Sequence, residues 1–230
     1  MVSSSRTRTA ASCFSGVLGS ERECTDHPGG GIVSPSEKRS IAPNPGSPPS
    51  GTIILASHDP AWAIEFARES TAVRAALDGL FIALHHIGST AIPTTVAKPV
   101  IDMLGVVPTV QLLDAAQGRL ESLGYEALGE FGIPGRRYFR KNSTKGVRTH
   151  QLHAFAAGSS EVQRHLDFRD YLRAHAAAAN EYSELKHDRA RRCAPNTDAY
   201  TLGKTDFIRR IESSAAAWRR SSTSDHSEAS

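Results

Sequence analysis

Two short apolar runs constrain this chain more than any other feature. Leu80-Phe81-Ile82-Ala83-Leu84 continues through His85-His86-Ile87 into a Gly88-Ser89-Thr90 turn, and a second run covers Val100-Ile101-Asp102-Met103-Leu104-Gly105-Val106-Val107. Neither has the length or the 3.6-residue period of an amphipathic helix, so each reads as a buried strand. A loop marked by Pro93 and Lys98-Pro99 joins them. Asp102, a lone carboxylate near the start of the second run, is the anomaly, because unpaired charges are seldom buried.

The surrounding elements complete an α+β pattern. Thr52-Ile53-Ile54-Leu55 is strand-like, and Asp59-Pro60 supplies an N-cap and a first-turn proline for a helix reaching residue 77. Trp62, Phe66, Val73 and Leu77 recur at spacings of four, seven and four, which lays one apolar stripe toward a sheet. A helix over 109–123 follows the second strand and ends at Gly124, placed as a C′ glycine. Further strands are predicted at 125–128, 137–140 and 149–155, and the short turns between them favour antiparallel pairing. From residue 159 the period is helical, over 160–174, 176–192 and 198–218. This order implies a mixed sheet with helices packed on it and a C-terminal helical cluster, rather than a regularly alternating doubly wound sheet.

Composition divides the chain. Residues 1–51 carry Pro28-Gly29-Gly30, Pro48-Pro49 and many Ser, too little apolar surface to offset chain entropy, and read as a disordered extension. Arg6 and Arg8 among Ser and Thr, with no acid before Glu21, leave an organellar transit peptide as the alternative. Residues 219–230 read as a polar disordered tail, which leaves one domain over 52–218. No run approaches the roughly 18 apolar residues of a spanning helix, so no membrane association is expected. Cys13, Cys24 and Cys193 include no Cys-x-x-Cys pair and fit neither a disulfide framework nor a zinc site. They point to a reducing compartment, and the cytoplasm is the expected location. A net charge of +3, with no basic stripe interleaved with aromatics, disfavours nucleic acid as a partner.

Chemistry-bearing residues converge on the two strands. A Gly-Ser turn at a strand end offers bare backbone N–H groups and a hydroxyl to an anion, which makes Gly88, Ser89 and Thr90 candidate phosphate contacts. Lys98 adds a phosphate-seeking charge, and Asp102 can hold Mg²⁺ against that phosphate. Singly, a Gly-Ser turn is only a turn and a buried Asp only an acceptor; together they describe a nucleotide-phosphate site. A second basic group, Arg136, Arg137, Arg140 and Lys141, surrounds the strand at 137–140. Alternation separates Arg137 and Phe139 from Tyr138 and Arg140. Arg137 is the preferred ligand contact, and Tyr138 is a further candidate. His150 and His153 lie on opposite faces of an ideal strand, which argues against a joint metal site. His153 reads either as a phosphate contact and proton carrier or as a satisfied core histidine.

These blocks resemble a known family. Leu84-His85-His86-Ile87-Gly88-Ser89-Thr90-Ala91-Ile92-Pro93, followed by Ala97-Lys98-Pro99-Val100-Ile101-Asp102, resembles the signature of GrpB proteins, which also occur fused behind dephospho-CoA kinase. Gly132-Ile133-Pro134-Gly135-Arg136-Arg137-Tyr138-Phe139-Arg140, Thr149-His150-Gln151-Leu152-His153, Phe168-Arg169-Asp170-Tyr171-Leu172-Arg173, Tyr182-x-x-Leu185-Lys186 and Lys204-x-x-Phe207-Ile208 resemble later GrpB blocks in the same order. The resemblance implies a nucleotidyltransferase-like fold, and with the Gly88-Ser89 turn, Lys98 and Asp102 it makes a nucleotide or another phosphorylated small molecule the expected ligand. It leaves two functions open: Mg²⁺-dependent phosphoryl or nucleotidyl transfer, or a non-catalytic helper module with a protein partner. It also implies Arg169, Lys186 and Lys204 as phosphate contacts from helices above the sheet. Active members of the wider superfamily carry Asp-x-Asp or Asp-x-Glu after the Gly-Ser turn and a third acid on a later strand. Here Leu104 takes the second position, and His150, Gln151 and His153 stand where the third acid is sought. Two-metal transfer needs several oxygen ligands around cations about 4 Å apart. One Mg²⁺ on Asp102, or binding without turnover, is what these residues leave.

Overall fold

The computed structural model describes residues 53–193 and 197–224. The predicted extension over 1–51, and Thr52 with it, lies outside the described residues. Asp59 opens the first helix as its sequence suggests, its Oδ1 accepting from Ala61 N at 2.9 Å. That helix, α1 (Ala61–Ala76), presents Trp62 and Val73 to the sheet. Strands β1 (Ala83–Ile87) and β2 (Ile101–Val107) pair antiparallel, with Ile87 opposite Asp102. Strands β3 (Tyr125–Ala127), β4 (Arg137–Asn142) and β5 (Arg148–Ala156) form an antiparallel meander, and β5 returns to lie parallel to β2. The sheet order is β1-β2-β5-β4-β3.

Register sorts the side chains into two faces, because directly opposed residues point the same way. Leu84, Ile101, Met103, Leu152 and Phe139 share one face, closed by α1, α2 (Val110–Ala115) and α3 (Gln117–Ser122). Burying side chains of this size contributes about 1.5–3 kcal/mol each. Gly105 lets Phe81 enter this core, since a Cβ there would stand 2.4 Å from Phe81 Cε1. On the other face Ile87, Leu104 and Phe155 form a smaller cluster with Ile133 and with Val162 and Leu166 of α4 (Ser160–Ala174). The remainder of that face is polar: Asp102, Gln151, His153, Tyr138 and Arg140 follow from the pairing. Helices α5 (Ala176–Cys193), α6 (Thr197–Leu202) and α7 (Thr205–Ser224) gather beyond it, with Tyr182, Phe207 and Ile211 packed on Ile92 and on Leu172 of α4.

Four expectations change. Residues 53–55 form no strand; Ala56 makes one antiparallel bridge to Ala97, and Ile53 packs instead on Cys193 and Tyr200. The helix over 109–123 divides at Ala116, beside Gly118, whose backbone freedom weakens a helix interior. The helix over 198–218 divides at Gly203-Lys204. Its second part continues past residue 218 to Ser224, into the segment expected to be disordered. No helix among the described residues is long and apolar enough to cross a membrane.

Candidate functional site

A cleft of about 640 Å³ lies between the polar half of the sheet and the C-terminal helices. Its floor begins where β1 ends. Gly88, at φ +68°, leads into a short 3₁₀ turn over Ser89–Ala91. A Cβ at Gly88 would fall 2.3 Å from Asp102 Oδ2, so the turn can press on that carboxylate only because the residue is glycine. Thr90, expected to touch phosphate, is a buried tie. Its Oγ1 donates to the Val100 carbonyl at 3.3 Å and accepts from His86 Nε2 at 2.9 Å. Burial lowers the His86 pKa to about 4, so the ring is neutral, and Phe66 stacks on it at 4.9 Å.

Ser89 is the turn residue held toward the cleft. Its Oγ accepts from Lys186 Nζ at 2.7 Å and is hydrogen-bonded to Tyr182. Lys186 is only 2% exposed; Nζ also donates to the Val96 carbonyl at 2.6 Å and sits 3.9 Å from the Tyr182 ring centroid. Lys98 and Lys204 flank Tyr200 at 4.4 and 4.1 Å from its centroid. Burial lowers all three amines, Lys186 well below the ordinary lysine range. Lys204 reaches about 7, with Lys98 reinforcing the shift and Asp102 opposing it.

The opposite wall comes from β4 and β5. Tyr138 and His153 are register partners with ring centroids 5.1 Å apart. Buried Arg136 donates to the carbonyls of Glu130 and Phe131 at 3.1 and 2.6 Å, and Nη1 donates to His153 Nδ1 at 3.4 Å. A guanidinium has no acceptor, so Nδ1 must accept, and the proton of the neutral ring lies on Nε2. That nitrogen is 3.8 Å from Asp102 Oδ1. His153 thus turns its Nε2 edge toward Asp102 at a distance beyond a direct hydrogen bond, and its lone pair is turned to Arg136 and away from the carboxylate.

Two expected contacts are absent from the cleft. Arg137 shares its face with Phe139 and is drawn to Asp114, Nε and Nη2 donating to the carboxylate at 2.5 and 2.7 Å. Arg169 fastens α4 to β1 by donating to the His86 carbonyl at 3.1 Å and is paired with Asp170. The expected residues brought together in the cleft are Gly88, Ser89, Thr90, Lys98, Asp102, Tyr138 and His153, with Lys186 and Lys204 from the C-terminal helical layer. The same cleft gains Arg136, Tyr182 and Tyr200, which the sequence reading did not choose. Arg136 precedes β4 by one residue, so strand alternation gave it no face; only the Tyr138–His153 register places it.

Seven Lys and Arg side chains and two carboxylates line the cleft. One carboxylate, Glu212, is bonded to Arg164, which leaves Asp102 as the lining carboxylate with no Lys or Arg bonded to it. Leu104, next on the Asp102 face, is fully buried among apolar side chains. Among the described residues no group of three or more His, Cys, Asp or Glu is arranged to hold a metal. This donor set fits a Mg²⁺ carried by one carboxylate and phosphate oxygens, and it does not fit a two-cation centre.

Residues 52–214 match the family model described as GrpB protein. The UPF0157 protein YqkA of Bacillus subtilis is 38% identical over 172 residues, which cover 75% of this chain and half of YqkA. The glutamate-rich protein GrpB of Alkalihalophilus pseudofirmus is 31% identical over 167 residues, covering 70% of this chain and 94% of that protein. Among solved structures, the conserved protein GrpB from Enterococcus faecalis superposes with a TM-score of 0.66 at 40% identity, over 70% of this chain and 96% of that one.

Proposed function

The chain belongs to the GrpB family, and from that premise we propose that its cleft binds a nucleotide or another phosphorylated small molecule in the manner of a nucleotidyltransferase. The observation that carries this reading is the convergence in one cleft of buried Lys186 and Lys204 and half-buried Lys98 with a Gly-Ser turn pressed against Asp102, Lys186 bonded to Ser89 itself. Burying amines is costly unless an anion repays it, and phosphate is the anion such a turn accepts. In this reading Gly88, Ser89 and the lysines hold the phosphates, and Arg136 and His153 fix the Asp102 side of the cleft. Asp102 would hold a Mg²⁺ brought in on the phosphates, an ion that would neutralise charge on the transferring group.

A second reading, binding without turnover, is favoured by Leu104 at the position of a second acid. It makes the protein a helper module for a partner. Both readings predict that ATP with Mg²⁺ raises the melting temperature, by linkage worth about 2.7 kcal/mol at a hundredfold excess over Kd. Asp102→Asn should remove the Mg²⁺-dependent part of the shift. Silence across nucleotides, CoA and dephospho-CoA would sink both readings. Release of pyrophosphate or phosphate from a binding nucleotide would separate the enzyme from the module.

A further inference from the structure

Phe131 stands in the cleft wall in an unusual state. The residue is 46% exposed, although its backbone adopts φ +43°, a left-handed conformation that a bulky side chain rarely takes. The conformation is imposed from several directions. Gly129 and Gly132 on either side also have positive φ, Glu130 Oε1 accepts from Gly135 N at 2.7 Å, and Arg136 Nη2 donates to the Phe131 carbonyl at 2.6 Å. Burial of the ring does not offset that strain, since nearly half the residue is still open.

What the strain secures is orientation. The Phe131 ring stacks on Tyr138 with centroids 5.2 Å apart and planes inclined by 29°, and the Arg136 guanidinium lies 4.9 Å from the Tyr138 centroid. From this shelf the cleft floor continues through Tyr138 to His153 at 5.1 Å and on to Asp102 at 3.8 Å. Asp102 in turn abuts Gly88 and the Ser89 turn. An aromatic shelf and a phosphate turn thus stand along one continuous floor.

We propose that Phe131 is the shelf on which a planar heteroaromatic ring of the ligand stacks, so that the ligand carries a nucleobase as well as phosphates. This rests on the phosphate reading above and narrows it. A sugar phosphate or a bare polyphosphate has nothing to place on Phe131. Base–aromatic stacking is worth about 1–3 kcal/mol, or roughly five- to 150-fold in affinity.

The test compares inorganic tripolyphosphate with ATP, GTP, CTP and UTP by calorimetry, on wild type and on Phe131→Ala, Phe131→Gly and Phe131→Tyr. At least one nucleotide should bind about tenfold more tightly than tripolyphosphate. Phe131→Ala and Phe131→Gly should abolish that difference while leaving tripolyphosphate affinity within about twofold, and Phe131→Tyr should retain it. Glycine adopts positive φ freely, so the Phe131→Gly protein keeps the turn and separates loss of stacking from loss of fold. If tripolyphosphate and all four nucleotides bind alike, or Phe131→Ala and Phe131→Gly leave the difference intact, the shelf is wrong and the phosphate site stands. If neither nucleotide nor tripolyphosphate binds, the phosphate reading falls and the shelf with it.

Discussion

Lys204, held by burial to a pKa of about 7 against 10.5 for a free lysine, is divided between charged and neutral forms near neutrality. Between those values the unfolded chain binds more protons than the folded one, so stability rises with pH across the window and is least below it. Ligand affinity has the opposite sign. A phosphate beside the amine favours its charged form, so binding takes up a proton and weakens as pH rises. Tripolyphosphate should therefore bind severalfold more weakly at about pH 8.5 than at about pH 6.5, and Lys204→Met should flatten the dependence. A wild-type affinity indifferent to pH would place Lys204 beyond the ligand. His86 acts in acid: between 6.5 and about 4 the unfolded chain again binds more protons, so its share of stability is lost as pH falls. At this scale the sequence displayed Asp102 and Gly88-Ser89, because a charge inside an apolar run and a glycine at a strand end violate local rules. It did not display Arg136, since Arg136 and Arg137 differ only in which face the strand register gives them.

Elements were legible where a period was long and uniform. The second buried strand, the β3–β5 meander and α4 stand close to where the pattern put them, β1 begins three residues into its apolar run, at Ala83, and α5 ends one residue later, at Cys193. The pattern failed at Gly203-Lys204, because the apolar period of α7 runs on through the preceding turn as if one helix were present. The break matters to the cleft, as it turns Lys204 inward while α7 continues along α4 and α5. Ile211, 1% exposed among Ile92, Leu172, Tyr182 and Phe207, fastens α7 there. Ile211→Ala should lower stability by about 2–5 kcal/mol. It would be read as a shift of the urea midpoint at unchanged slope. Because Tyr182 and Lys186 share α5, ligand affinity should fall with it. A loss below about 1 kcal/mol would mean that the cluster collapses around the gap and that α7 is a dispensable cover.

Among the described residues apolar clusters cover both faces of one sheet, and a sheet cannot lose one covering without exposing apolar strands. Unfolding should accordingly be a single transition. The two tryptophans report on it separately: Trp62 sits in the α1 core, whereas Trp218 of α7 meets Tyr171 and His175 edge-on at 6.0 and 5.5 Å. Fluorescence of Trp62→Phe and Trp218→Phe, each corrected for its own stability by circular dichroism, should follow the same midpoint as secondary structure in both proteins. A Trp218 signal lost well before the Trp62 signal would reveal a helical layer that detaches alone. At this scale the α+β class was legible from element order, but the parallel return of β5 to β2 was not, because no local pattern encodes which distant strand is a neighbour.

The bond from Lys186 to Ser89 joins residues 97 positions apart. At about 5–20 residues per second, Lys186 leaves the ribosome roughly 5–20 s after Ser89. The main core draws only on residues between Trp62 and Ala154 and their neighbours, all synthesised by then. A growing chain can thus assemble its sheet with Lys98 in place while Lys186 and Lys204 are still untranslated, so the cleft is completed only when the C-terminal helices follow.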